Sequence, residues 1–268
     1  MSGFEPGVPE ARKLTLLCSM KLQRSAILFS FLTATTLLLC APSSPATDTG
    51  PASASMKNLS VNVEGGTLAK TNHTSVISKS ANHSDEPPFM NGEPEHISLS
   101  FDNDNVKDFD PESHRQLLVY PLPSYAVLFK GKEKAQFDKQ LVQSKKILAT
   151  KSINGVKEIP ILPAVEAFQV FHNHVKYLPF KQGTGVAFLT SYAQDEAPIE
   201  NGNIFYTYQG ISADGKYYLS LVYPVKANKL PTKAPVKVGI AALAKLPDDQ
   251  FTPSLVEIDK LIQSISVK

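Results

Sequence analysis

The apolar positions of this chain fall into runs of different period, and the period changes several times between residues 115 and 268. Along 133–148, Phe137, Leu141, Ile147 and Leu148 lie close to one face of a helix, with Lys134, Lys139 and Lys145 elsewhere. A second helix is predicted over 164–177 from Val165, Phe168, Val170, Phe171, Val175 and Leu178, with Pro179 ending it. A third apolar helix is predicted over 236–246. The fourth is the clearest. Thr252 is placed to cap it, Pro253 fits its first turn, and Leu255, Ile258, Leu261, Ile262 and Ile265 form its stripe.

Strand signals lie between these helices. QLLVY at 116–120 and YAVLF at 125–129 carry β-branched and aromatic residues, interrupted by Pro121 and Pro123. After Asn154-Gly155, a turn signal, the proline-bounded 159–163 reads as a short extended segment. Three strands are then predicted at 185–192, 203–209 and 216–223, the last two flanking Ser212-Ala213-Asp214-Gly215. Asp-Gly between alternating aromatic runs is a strong hairpin signal. Ile204, Tyr206 and Tyr208 share one face of the first hairpin strand, as Tyr217, Leu219 and Leu221 do in the second. Helices placed around a meander imply an α+β fold, an antiparallel sheet packed by helices.

The region before residue 115 has a different pattern. Residues 25–41 are an uncharged, largely apolar run preceded by Lys21 and Arg24, the physical pattern of an export signal. The segment 1–19 fits no part of such a signal, and Met20 is a natural alternative start. Leu37-Leu38-Leu39-Cys40 resembles a bacterial lipoprotein signal, which makes Cys40 a lipidation candidate, although Leu39 is larger than the pattern prefers. Cleavage near Ser44-Pro45-Ala46 and retention as a signal anchor are the alternatives. Seventeen residues span ~25 Å as a helix, a little under the ~30 Å hydrocarbon core. Each of these readings places the remainder outside the cytoplasm.

From 42 to 114 the chain is rich in Ser, Thr, Asn, Pro and acids, which reads as a disordered acidic linker. Asn58, Asn72 and Asn82 begin Asn-x-Ser/Thr triplets, which are glycan acceptors only in a eukaryotic export pathway. FDNDNVKDFDPE at 101–112 has carboxylates enough for calcium but lacks the oxygen ligand and glycine of an EF-hand loop. The division is therefore 1–41 signal segment, 42–114 linker and 115–268 globular domain.

Composition sharpens this division. The 27 Lys+Arg and 25 Asp+Glu of the whole chain nearly cancel, but from Arg115 onward 19 basic residues face 12 acidic ones. Those lysines are scattered along the sequence, so a solvated basic surface is expected rather than an anion groove, and no nucleic-acid partner is expected. Both cysteines, Cys18 and Cys40, precede the domain, so thiol chemistry there is excluded.

GTGVAFLTSYAQDEAPIENGNIFYTYQGISADGKYYLSLVYPV at 183–225, the preceding AVEAFQVFHNHVKYLPF and the closing FTPSLVEIDKLIQSI resemble an exported bacterial domain family of predicted lipoproteins with no assigned activity. The resemblance covers about 115–268. It implies location and domain extent, and no chemistry.

Candidate chemistry is sparse. His172 and His174 form the only close histidine pair. On the predicted helix they would point about 200° apart and could not share a metal, whereas on a strand they would share a face. Asp195, Glu196 and Glu200 could supply paired carboxylates to a secreted hydrolase, though solvated loop acids are the plainer reading. Tyr192, Tyr206, Tyr208, Tyr217 and Tyr218 form a candidate platform for a ligand or partner, or else alternate as core and cross-strand pairs. The expectation is an exported cell-envelope binding or accessory domain without cofactor or metal. Its expected partners are the membrane, through a lipid or signal anchor, and an envelope protein or glycan.

Overall fold

The structure, a computed structural model, describes residues 51–79, 92–102 and 106–268. In order these form β1 (Ala52–Met56), β2 (Leu59–Val63), β3 (His73–Lys79), β4 (Glu93–Ser100), β5 (Gln116–Pro121), α1 (Leu122–Leu128), α2 (Gly131–Thr150), β6 (Phe168–Phe180), β7 (Gly183–Ala193), β8 (Phe205–Ser212), β9 (Tyr217–Pro224), β10 (Lys226–Ala227), α3 (Val236–Leu243), β11 (Phe251–Thr252), α4 (Leu255–Ser264) and β12 (Ser266–Val267). The fold is α+β. The segment 1–41 predicted as a signal, with the lipidation candidate Cys40, lies outside the described residues.

Seven strands make one antiparallel sheet in the order β3-β4-β5-β9-β8-β7-β6. The chain leaves the sheet at β5, near its centre, builds α1, α2 and the segment 151–167, and re-enters at the far edge as β6. It then returns strand by strand to lie beside β5. This excursion and the C-terminal elements cover opposite faces. On one face Leu99, Leu117, Leu189, Tyr206, Leu219 and Leu221 pack against Ile258, Leu261 and Ile262 of α4 and against β2. On the other, Tyr120, Tyr218 and Phe188 meet α1, α2 and the loop after them, through Tyr125, Phe137, Ile147 and Ile161. A smaller sheet, β1-β2-β12, closes the α4 side, and β10 pairs with β11.

Four local expectations are corrected. The first concerns the predicted disordered linker, 42–114, whose described residues carry strands at 52–56, 59–63, 73–79 and 93–100. Leu59, Val61 and Val63 alternate with polar residues, as Ile97, Leu99 and Phe101 do, and all six are buried. Their Ser, Thr and Asn neighbours lower the average hydropathy without disturbing the period of two. These strands accordingly belong to the same compact unit as the described residues from 106 to 268.

The second is 164–177, which is not a helix: 168–177 belongs to β6, and 164–167 is irregular chain leading into it. Breaks in its register against β7 at 169/171 and 173/176 put apolar side chains at both parities, and that imitates helical spacing. Pro179 is tolerated because β6 is an edge strand, where a missing N–H breaks no ladder. The third is 125–129, which lies largely in α1, with Pro123 in the first turn. The fourth is the cap of α4. Ser254 accepts the Val256 N–H at 3.2 Å, while Thr252 sits in β11.

Candidate functional site

The β5-to-β6 excursion leaves a cleft of about 830 Å³ between α2, the segment 158–168 and the end of β7. Gln136, Gln140 and Gln143 reach it from successive turns of one helix face, Tyr192 and Gln194 from the sheet, and Phe168 from the start of β6. Pro160 and Ile161 form part of the far wall. Gln169 fastens that wall to the sheet, because its side-chain amide imitates a strand. Its Oε1 accepts the Ile159 N–H at 2.9 Å and its Nε2 donates to the Ile159 carbonyl at 3.2 Å. The same Nε2 donates to the Tyr192 hydroxyl at 2.8 Å, and His172 Nδ1 lies 3.1 Å from Gln169 Oε1.

Two features of the cleft are unmatched by internal contacts. Phe168 is 69% exposed, the most exposed phenylalanine among the described residues. Gln140 Oε1 is shielded from solvent and accepts no hydrogen bond. Gln143 and Gln194 by contrast donate to the carbonyls of Glu158 and Glu166, which fixes the cleft walls. The lining is mainly uncharged amide and apolar surface, with Lys139, Glu158 and Glu166 as its charged members.

No family model, curated protein or solved structure matches this chain. The site is therefore read from its own geometry.

The five tyrosines do not form one open platform. Period two sends Tyr206, Tyr208 and Tyr217 to the α4 face, and Tyr192 and Tyr218 to the α2 face. Tyr206, Tyr208 and Tyr218 are fully buried and their hydroxyls are engaged within the fold. Tyr206 donates to Asp259 Oδ1 at 2.9 Å, Tyr208 to the Leu178 carbonyl at 3.1 Å, and Tyr218 to Gln209 Oε1 at 2.8 Å. Burial pushes each of these phenols well above its ordinary pKa, and the neighbouring Asp259 carboxylate adds to the shift at Tyr206. The Tyr208 ring also lies over the backbone of Gly185 and Gly210, where any side chain would collide with it. Tyr217 packs, partly buried, against the α4-side core. Only Tyr192 reaches the cleft.

The other candidates are dispersed. His174 Nδ1 lies 2.8 Å from Asp248 Oδ1 and its Nε2 2.8 Å from the Leu243 carbonyl, away from the Gln169 partner of His172. Lys176 bridges Asp248 at 2.6 Å and Asp259 at 2.5 Å, tying β6 to α4. Among the described residues no group of three His, Cys, Asp or Glu could hold a metal ion. Asp195 and Glu196 are exposed beyond the cleft, and Glu200 lies in the loop leading to β8. In the acidic stretch, Asp102 pairs with Arg115 Nε at 2.7 Å, and Asp110 accepts the Ser113 N–H at 3.1 Å. Phe168 and Gln140, the distinctive residues of the cleft, carry no sequence signal as a site. Among the described residues no helix is long and apolar enough to cross a membrane.

Proposed function

We propose that this chain is an exported cell-envelope binding domain that holds a neutral, hydroxyl-rich ligand, a glycan, in the cleft between α2 and β6. The observation that carries the reading is the exposed Phe168 ring at the rim of a cleft walled by glutamine amides. Amides offer donor and acceptor on the same group, which suits sugar hydroxyls, and an aromatic face packs against the C–H surface of a pyranose ring. A hydrolytic reading has less behind it, because Asp195 and Glu196 point to solvent outside the cleft. The basic and apolar N-terminal pattern supports export, with Cys40 as the lipid-bearing residue or the apolar run as an anchor.

Calorimetric titration with neutral oligosaccharides, beginning with the N-acetylglucosamine trimer, tests the cleft. Saturable binding that is lost in both Phe168→Ala and Gln140→Ala is expected. Binding that survives both substitutions, or no binding of any neutral oligosaccharide, overturns the reading. Mass spectrometry of the mature N-terminus tests the location, with an acylated Cys40 expected. An intact Met1 on a protein found in the cytoplasm would exclude export.

A further inference from the structure

The basic surplus of the domain is concentrated in one place. Between Lys130 and Lys157 there are eight lysines against Glu133 and Asp138 alone, while the rest of 115–268 is close to balanced. All eight lie on α2 or in the segments flanking it, and all but Lys134 are exposed. Lys134 pairs with Asp138 within the helix, at 2.5 Å. The expectation of dispersed lysines is thus corrected: they cluster in this stretch, and the helical repeat of α2 sets which of them share a face.

Their arrangement on α2 is specific. Phe137, Ser144 and Ile147 face the core. On the opposite side Ala135, Val142 and Ala149 recur at intervals of seven and are all exposed, Val142 by 66%. This narrow apolar ridge runs parallel to a second line, Lys132, Lys139 and Lys146, at the same interval, with Lys145 on the ridge's other flank. Beside the lysine line, Lys139, Lys146 and Lys157 line a groove of about 750 Å³ between α2 and the loop after it, where Glu158 is the acid present. A shallow apolar ridge flanked by long cationic side chains matches an interface whose outer layer is anionic and whose next layer is hydrocarbon.

We propose that the outer face of α2 docks on a bilayer containing anionic phospholipid. Lys132, Lys139 and Lys146 face the phosphates and Val142 enters the headgroup boundary. The groove beside Lys157 receives a single phosphate headgroup. Charge complementarity and the exposed valine carry this assignment, which does not depend on the glycan cleft or on any N-terminal anchor.

Vesicle co-sedimentation of the full chain provides the test, with phosphatidylcholine vesicles compared with vesicles containing phosphatidylglycerol. The variant Lys132→Gln/Lys139→Gln/Lys146→Gln changes only exposed side chains, and an unchanged urea midpoint confirms its folding. At about 1 kcal/mol per lysine near the surface, its affinity for the anionic vesicles is expected to fall about a hundredfold. Wild-type binding is expected to weaken steeply as salt is raised through the range where the Debye length falls below about 10 Å. Val142→Ser is expected to weaken binding a few-fold and to leave the salt dependence intact. A contribution from residues 25–41 is common to every variant and to neutral vesicles, so it cancels in the comparison. Equal binding of wild type and triple variant overturns the proposal, as does equal binding to neutral and anionic vesicles. Lysine-dependent binding to a soluble poly(glycerol phosphate) without binding to vesicles also overturns it, and assigns the face to an anionic polymer.

Discussion

The two faces of the seven-stranded sheet are built by different means. The α4 face is a conventional apolar core. Leu255, Ile258, Leu261 and Ile262 enter it from one helix with almost no exposure, and its tyrosine hydroxyls and Asp259 are matched internally. The α2 face carries polar residues into its centre. Gln209 lies there and is 2% exposed; it donates to Thr207 Oγ1 at 2.8 Å and Ser220 Oγ at 3.1 Å. Its Oε1 accepts from the Tyr218 hydroxyl at 2.8 Å and from Leu162 N–H at 3.3 Å. One face closes the fold. The other leaves the cleft, an unmatched Gln140 and a basic outer helix, so the surfaces proposed to meet a ligand and a membrane are both on that side.

The comparison is broken most severely by a cavity on the closed side. Ile258→Ala removes three buried carbon atoms from a site with no exposure, and a loss of about 2–5 kcal/mol is expected. Urea denaturation measures it, and a loss below about 1 kcal/mol would show that α4 is not held as tightly as its burial implies.

On the open side the corresponding experiment removes hydrogen bonds instead of volume. Gln209→Ala leaves the Tyr218 hydroxyl and the Leu162 N–H buried without their acceptor, at about 1–3 kcal/mol for the unsatisfied groups. Gln209→Glu keeps the acceptor but loses both donated bonds and adds a buried charge, so it should not restore stability. If Gln209→Ala is neutral in urea denaturation, the polar centre of this face is not a source of its order.

The parts of the molecule that the sequence makes legible are those where period and local chemistry agree. The β8–β9 hairpin joins alternating tyrosines and leucines through Asp214-Gly215, and α2 and α4 keep their apolar stripes. β6 is illegible because its bulges break the alternation, and β1 to β4 because Ser, Thr, Asn, His and Glu outnumber the few large apolar residues in these short strands. Of the cleft only Tyr192 is legible. Gln140 and Phe168 look like an ordinary helix residue and an ordinary strand residue until the chain path from β5 to β6 brings them to one opening. The tyrosines predicted as a platform belong mostly to the core, because a phenol with a hydroxyl partner is as readily buried as a leucine.

A pH experiment probes the sheet edge near β3. His96 is 1% exposed, packs at a tilt against the Tyr120 ring with centroids 4.4 Å apart and lies 3.5 Å from Glu93 Oε2, while Lys79 approaches the other Glu93 oxygen at 3.7 Å. Burial holds its imidazole below the ordinary value, against the pull of the Glu93 carboxylate. Between the unfolded and folded pKa the unfolded chain therefore binds the additional proton, and stability falls as pH drops below about 6.5. The urea midpoint should be lower at pH 5 than at pH 7, and His96→Gln should narrow that difference. An identical difference in the variant would assign the acid sensitivity to other groups.

The smallest effect on stability is expected where the proposed ligand contact is largest. Phe168 is mostly exposed, so Phe168→Ala removes little buried area and should shift folding by no more than about 0.5 kcal/mol. It takes the aromatic surface from the cleft rim without disturbing Gln169, whose amide holds Ile159 and Tyr192 in place. Gln169→Ala should do the converse, loosening the 158–168 wall and costing stability as well as binding. Measuring urea midpoints and oligosaccharide affinity on both variants separates the two roles. A Phe168 variant that unfolds as readily as the Gln169 variant would make this ring part of the frame and leave the cleft without its stacking surface.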